Sequence, residues 1–260
     1  MRSIRIFTQM TKANLKALMS FKIDFLVSFF AGLLSQTIGI LFLSVLFMNI
    51  PSVAGWNVYQ IGILYGYIFF AEGILTLSFQ GTFGLTNQVR NGTLDQYLLR
   101  PLPISTQIYG QRTNLAGLGT SMTGLTVIVY SILKLDMVLP IWKFILLIVS
   151  LILGAVIRVN INFAFNSISV WLEGASGIGG TVYSLQELAK YPIDIYPRAF
   201  QVMLLSLFPF AAISYVPTAV ILDKKESLFF IILPIVTVVI VILRKIIFGL
   251  ALKAYEGAGN

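Results

Sequence analysis

The apolar positions of this chain fill whole windows instead of recurring at one face of a helix or strand. Six stretches stand out: Phe25–Met48, Gln60–Gln80, Asn114–Leu133, Ile141–Asn162, Phe200–Leu222 and Leu228–Lys245. Each reaches about 27 Å or more at 1.5 Å per residue, enough to cross a hydrocarbon layer about 30 Å thick, some with tilt. The pattern predicts an all-α integral membrane protein with six transmembrane helices. In the fourth stretch the apolar character persists weakly to Trp171, so that helix is expected to run beyond the bilayer. The fifth carries Pro209 and Pro217, which would also suit a re-entrant hairpin. A full, kinked span is preferred, because a hairpin would carry the basic C-terminal tail to the opposite side.

The first 24 residues follow another rule. Wound as a helix, Arg2, Arg5, Gln9, Lys12 and Lys16 fall within about 80° of one another, while Ile4, Phe7, Met10, Leu15, Leu18 and Phe21 take the other side. Such a helix is expected to lie in the membrane interface with its cations on anionic headgroups. The plainer alternative is a basic leader ahead of the first span. A cleavable signal is not expected, since the apolar run that follows is too long and lacks a small-residue cleavage site. Residues 1–24 thus form the interfacial helix, 25–246 the transmembrane domain and 247–260 a cytoplasmic tail.

Composition agrees and narrows the chemistry. Hydrophobic residues make up 57% of the chain, charged residues 11%, and the mean hydropathy is +0.89. A soluble domain usually has about twice that charged fraction. The chain has no histidine and no cysteine, which removes imidazole bases, thiol nucleophiles, Cys/His zinc sites and disulfides. No G-x-x-x-x-G-K-[ST] occurs, so there is no Walker A loop for nucleotide phosphates. The Gly-rich "EGASGIGGT" (Glu173–Thr181) lacks the lysine and the preceding strand, and reads as a loop or hinge in preference to a ligand site.

Cation placement sets the orientation. With the N-terminus inside, thirteen Lys/Arg fall on the cytoplasmic side, Lys190, Arg198, Arg244 and Lys245 among them. Only Lys134, Lys143, Lys224 and Lys225 fall outside, and Arg158 lies within the membrane. This bias puts both termini in the cytoplasm.

Between the second and third spans, "VRNGTLDQYLLRPLP" (Val89–Pro103) interrupts the apolar pattern on the cytoplasmic side. Asn91-Gly92 makes a turn. Thr93, with Gln96 three residues on, fits a capping box, Asp95 sits near the positive helix end, and Pro101 stops the helix. Leu94 and Leu98 share a face at i, i+4, with Tyr97 on the next row, predicting an apolar edge that docks another protein or packs on its own domain. Inside the spans, Glu72 and Arg158 are costly ions, with Asn162 and Asn166 one and two turns beyond the arginine. Mutual pairing that locks two helices is the first expectation, a polar lining on a substrate path the second, proton relay the last. Gly62 and Gly66, and the row Gly117, Ser121 and Gly124, allow close helix approach, within the chain in preference to between two chains.

"NGTLDQYLLRPLP" resembles the segment of ABC-2-type export permeases that reads Gly-Thr-Leu-Asp, then Tyr-Leu-Leu-Arg-Pro. "YPIDIYP" (Tyr191–Pro197) with "FPFAAISYVPT" (Phe208–Thr218), and the ending "FGLALKAYEGAGN", are similar to the small six-span branch of that family. The resemblance implies the ABC-2, type V exporter-like fold and a bacterial inner (plasma) membrane location. It implies a permease subunit without catalytic residues or a cofactor of its own. ATP and Mg would sit on a separate ATP-binding cassette ATPase subunit, present in two copies. That subunit would be met by the N-terminal helix and by a coupling helix at about 93–101. Carried onto this chain, the coupling residues are Thr93, Leu94, Asp95, Tyr97, Leu98 and Arg100, and the intramembrane polar residues are Glu72, Arg158 and Asn162. A second permease chain is implied, identical or related, with the heterodimer favoured; the other partner is the lipid bilayer, with no nucleic acid. Two other functions compete. A secondary transporter would couple to protons through Glu72 and show internal repeats, and no convincing repeat relates the two halves. A lipid-modifying enzyme would need clustered acids or an activated serine. The cargo is not legible: drug, peptide, lipid and polysaccharide all remain open.

Overall fold

The computed structural model describes residues 2–168, 170 and 178–255, and these form α-helices and short 3-10 turns without a β-strand. Most of the Gly-rich stretch, Trp171 and the last five residues of the tail lie outside the described residues. Among those described, five helical stretches are long and apolar enough to cross a membrane: Lys22–Asn49, Val58–Ser78, Ala116–Lys134, Ile141–Ile168 and Ser227–Ala254.

Helix α1 (Arg2–Met19) keeps Arg5, Gln9, Lys12 and Lys16 exposed and turns Phe7, Met10 and Asn14 inward. The first long stretch is two helices, α2 (Lys22–Ser35) and α3 (Thr37–Asn49), bent at Gln36. On either side of the bend Ser35 donates to the Gly32 carbonyl and Thr37 to that of Leu33, the back-bonding that tilts helices. Helix α4 (Val58–Ser78) starts from a reciprocal capping box between Asn57 and Gln60. It is buried along most of its length and forms the centre of the bundle. A polar insertion follows, with α5 (Leu85–Arg90), α6 (Asp95–Leu98) and α7 (Ile104–Gly110).

Helix α8 (Ala116–Lys134) packs on α4 through the small residues. A Cβ on Gly124 would lie 2.6 Å from the Phe70 nitrogen and 2.7 Å from the Gly66 carbonyl, and one on Gly73 2.6 Å from the Gly117 carbonyl. The two glycine rows therefore meet within one chain. Helix α9 (Ile141–Ile168) runs back beside α4, and α10 (Ile178–Glu187) follows it. The bundle thus has a short-loop end, with residues 50–57, 135–140 and 222–226, and an insertion end, with residues 79–115.

The fifth predicted span is corrected. Phe200–Leu222 is not one kinked helix but two short ones, α11 (Arg198–Leu205) and α12 (Ala211–Ile221). Pro209 supplies no N–H for the Leu205 carbonyl and disfavours helical geometry at Phe208, so α11 ends at Leu205. Contacts trace the path. Tyr183 of α10 faces Arg158, Lys190 lies over the rings of Tyr65 and Phe69, and Asp194 meets Trp56 at the short-loop end. The chain then dips until Phe208 reaches Phe165, and returns at Ile221, whose carbonyl accepts from Lys143. Residues 178–194 thus climb the bundle ahead of a hairpin made by α11 and α12. Lys190 is consequently inside the bundle and Arg198 beyond Asp194, away from the insertion end; the remaining cations keep the bias toward that end. Helix α13 (Ile232–Ala254) descends along α9 to bring Tyr255 to the insertion end.

Candidate functional site

At the insertion end the polar segment is held by amides. Asn91-Gly92 turns the chain, with Gly92 at φ +65°, a left-handed conformation that favours glycine. The Gln88 carbonyl accepts from the Thr93 and Leu94 backbone nitrogens and from the Thr93 hydroxyl at 3.3 Å. The predicted capping box is therefore absent: Thr93 bonds backward, Leu94 stands at the cap position, and α6 is a single turn. Buried Gln107 donates to the Tyr97 and Leu102 carbonyls, both at 3.0 Å, and fastens α6 to α7. Gln88 and Gln111 join side-chain amides. Helix α1 docks on α7, where Asn14 donates to the Gly110 carbonyl at 2.9 Å, and Phe7 stacks on Phe79 at 5.1 Å. Isolated glutamines and one asparagine carry no signature in sequence, and none of these anchors was anticipated.

The predicted apolar edge divides. Leu94 is fully buried with Leu85, Ile108, Phe163 and Phe248, so it is a core anchor and shares no exposed face with Leu98. Leu98 is 49% exposed and its neighbour Leu99 86%. Tyr97 is half-buried, and the Arg100 guanidinium lies 5.8 Å from its ring centre. Burial raises the Tyr97 phenol above its ordinary value, against the lowering pull of Arg100 and Arg112. Asp95 faces Tyr255; burial, and then that carboxylate, raise the Tyr255 phenol. What the element presents is thus a Leu98–Leu99 knob beside exposed Arg100, with exposed Arg112 also close enough to act on Tyr97.

Deeper in the bundle Glu72 and Arg158 meet. Arg158 Nε donates to Glu72 Oε2 at 2.9 Å, Nη2 bonds the same oxygen, and the guanidinium lies 5.6 Å from the Tyr183 ring centre. Asn162 is not part of that pair. Its Oδ1 accepts from the Thr82 hydroxyl at 2.8 Å and from Asn166 at 3.2 Å, closing the junction below α4. A second polar node, also unanticipated, lies at the short-loop end: Asp194 accepts from Trp56 Nε1 at 3.0 Å and from the Tyr215 hydroxyl at 3.1 Å. The chemistry of all three is that of fixed charge and hydrogen bonding. Among the described residues no group of three or more Asp/Glu side chains is placed to hold a metal.

The arrangement is a membrane bundle with a structured polar insertion, and a protein-family model for ABC-2 family transporter proteins matches residues 33–259. No curated protein and no solved structure matches the chain. The match spans most of the chain, which therefore belongs to the ABC-2 family of transporter proteins, as a multi-pass membrane permease component.

Proposed function

We propose that this chain is the permease half of an ATP-driven exporter, coupled through its insertion end to a separate ATP-binding cassette subunit that holds ATP and Mg. The observation that carries the reading is the construction of residues 85–110. Three short helices are fixed to one another by glutamine amides, braced by α1, and tipped by an exposed Leu98–Leu99 knob beside Arg100. A membrane protein that worked alone would have no use for a rigid apolar projection at that end. Leu98, Leu99, Tyr97 and Arg100 form the docking edge. Thr93, Leu94 and Asp95 position it from behind, and α1 lies in the cytoplasmic interface. Residues 178–194 supply the remaining crossing, for six in all, with both termini cytoplasmic. Two ATPase copies and a second permease chain complete the assembly, the heterodimer being favoured.

The test is Leu98→Asp. A charge forced into an apolar contact is far costlier than a lost methyl contact. The permease is expected to insert normally, to lose co-purifying ATPase and to stop transporting. Wild-type ATPase binding and transport in this variant, and in Leu99→Asp, would remove the coupling assignment.

A further inference from the structure

A cavity of about 770 Å³ opens on the bundle's outer face between α4, α9 and α13, near the insertion end. Its walls are apolar, Phe70 and Ile74 from α4, Ile152 and Val156 from α9, and its polar residues are Tyr109, Asn160 and Arg244. The rim is bilayer-like: Ile152 is 57% exposed, and Val149, Val238 and Ile242 beside it are exposed as well. From Phe70 to the end of α4 the groove runs about 12 Å at the helical rise. Its floor is closed by Phe79, on which α1 rests, and by Ile4 of α1 itself.

Arg244 is held rather than free. Its Nε donates to Asn160 Oδ1 at 3.1 Å, and Asn160 is itself fixed by donating to the Val156 carbonyl at 2.8 Å. The guanidinium lies 5.9 Å from the Tyr109 ring centre and 5.5 Å from that of Phe163. No carboxylate pairs with it among the described residues. Its terminal donors are therefore left for an anion, and a guanidinium fork suits phosphate. It stands about 15 Å before the end of α13, level with Tyr109 and with α1, whose exposed cations mark the headgroup layer.

We propose that this groove holds one anionic phospholipid of the surrounding bilayer, its phosphate on Arg244 and an acyl chain along Phe70, Ile74, Ile152 and Val156. The bilayer supplies an anion at this depth next to apolar chains. A protein partner would have to carry an acid into an otherwise apolar groove. The site rests on the chain's being a membrane protein and not on the coupling assignment.

The experiment reconstitutes the full-length permease in phosphatidylcholine vesicles containing a minority of phosphatidylglycerol. Either lipid carries a photoreactive diazirine in its acyl chain, and adducts are mapped by mass spectrometry. Adducts on the groove residues should favour phosphatidylglycerol by about fivefold, the contribution of a single basic residue near an anionic surface. Arg244→Gln should equalise the two lipids, Arg244→Lys should retain a preference, and Ile152→Trp, at the exposed rim, should reduce both. Excess inorganic phosphate should leave the adducts in place. Four results would overturn the proposal: equal labelling by the two lipids in the wild type; loss of preference in Arg244→Lys as complete as in Arg244→Gln while both elute as the wild type; displacement by inorganic phosphate, which marks a free-anion site; or ready disulfide formation between two Ile152→Cys chains, which marks a protein interface.

Discussion

Glu72→Gln leaves the Arg158 guanidinium facing a neutral amide in a site where its side chain is only 4% accessible, with the Tyr183 ring beside it. Removing one member of a buried pair costs on the order of 3–5 kcal/mol, because the other charge stays desolvated. At 1.4 kcal/mol per factor of ten, that is roughly two to four powers of ten in the folded population. Arg158→Met should cost less than Glu72→Gln. Glu72 is the more exposed partner at 14%, and Met also removes Nη1, which is buried without a hydrogen-bond partner among the described residues. The double variant Glu72→Gln/Arg158→Met leaves no ion at all and keeps the volume. It should therefore recover at least about 1.5 kcal/mol of the loss expected by adding the singles, within the range of coupling between contacting residues.

The assay is urea or SDS unfolding in mixed micelles, followed by tryptophan fluorescence and by elution profile, with transport measured in parallel. A double variant no more stable than the worse single refutes the pairing argument. Transport separates two roles for the same pair. If the ions only lock α4 to α9, export should return with stability in the double variant. If they line the cargo's path, the double variant should fold and still fail to export.

Three further outcomes follow from the packing. Leu94→Asp should reduce folding itself, unlike Leu98→Asp, because it places a charge among Leu85, Ile108 and Phe163; the check is yield of monodisperse permease. Gly124→Leu should split α4 from α8 and lower the unfolding midpoint, whereas Gly249→Ala, where a Cβ meets nothing within 4 Å, should be neutral or slightly stabilising by thermal unfolding. Since the chain has no cysteine, Ser52→Cys and Asn91→Cys, both exposed, should label with an impermeant maleimide only from outside and only from inside respectively; the reverse pattern overturns the proposed orientation.

The sequence was most readable where a property belongs to a whole window. Apolar runs announced the long helices, and the spacing of Gly62, Gly66, Gly117 and Gly124 announced close helix approach, because that demands absent side chains at helical intervals; that the two rows meet each other came only from the structure. The polar insertion was legible as a turn and a helix, but its internal direction was not. Thr93 had two acceptable partners, a helix N–H ahead or the Gln88 carbonyl behind, and only the docking of α6 on Gln107 decides between them. Leu94 and Leu98 are equivalent in sequence. One is buried and the other exposed because Phe163 and Phe248, distant in the chain, close over one side of the turn.

The crossing proposed at residues 178–194 was illegible in sequence for a sharper physical reason. Residues 178–194 carry Glu187, Lys190 and Asp194, which in a hydropathy window count as three charges against a membrane position. In the structure none is carried bare. Glu187 and Lys190 neutralise each other one turn apart, Lys190 lies over two aromatic rings, and Asp194 takes donors from Trp56 and Tyr215. The hairpin after it is the opposite case: Ala211–Ile221 is apolar and buried throughout, yet too short to cross. A window scores composition, while the bilayer responds to uncompensated charge and to unpaired backbone. Where partners arrive from distant parts of the chain, a polar segment can lie inside the bundle, and an apolar one need not span it.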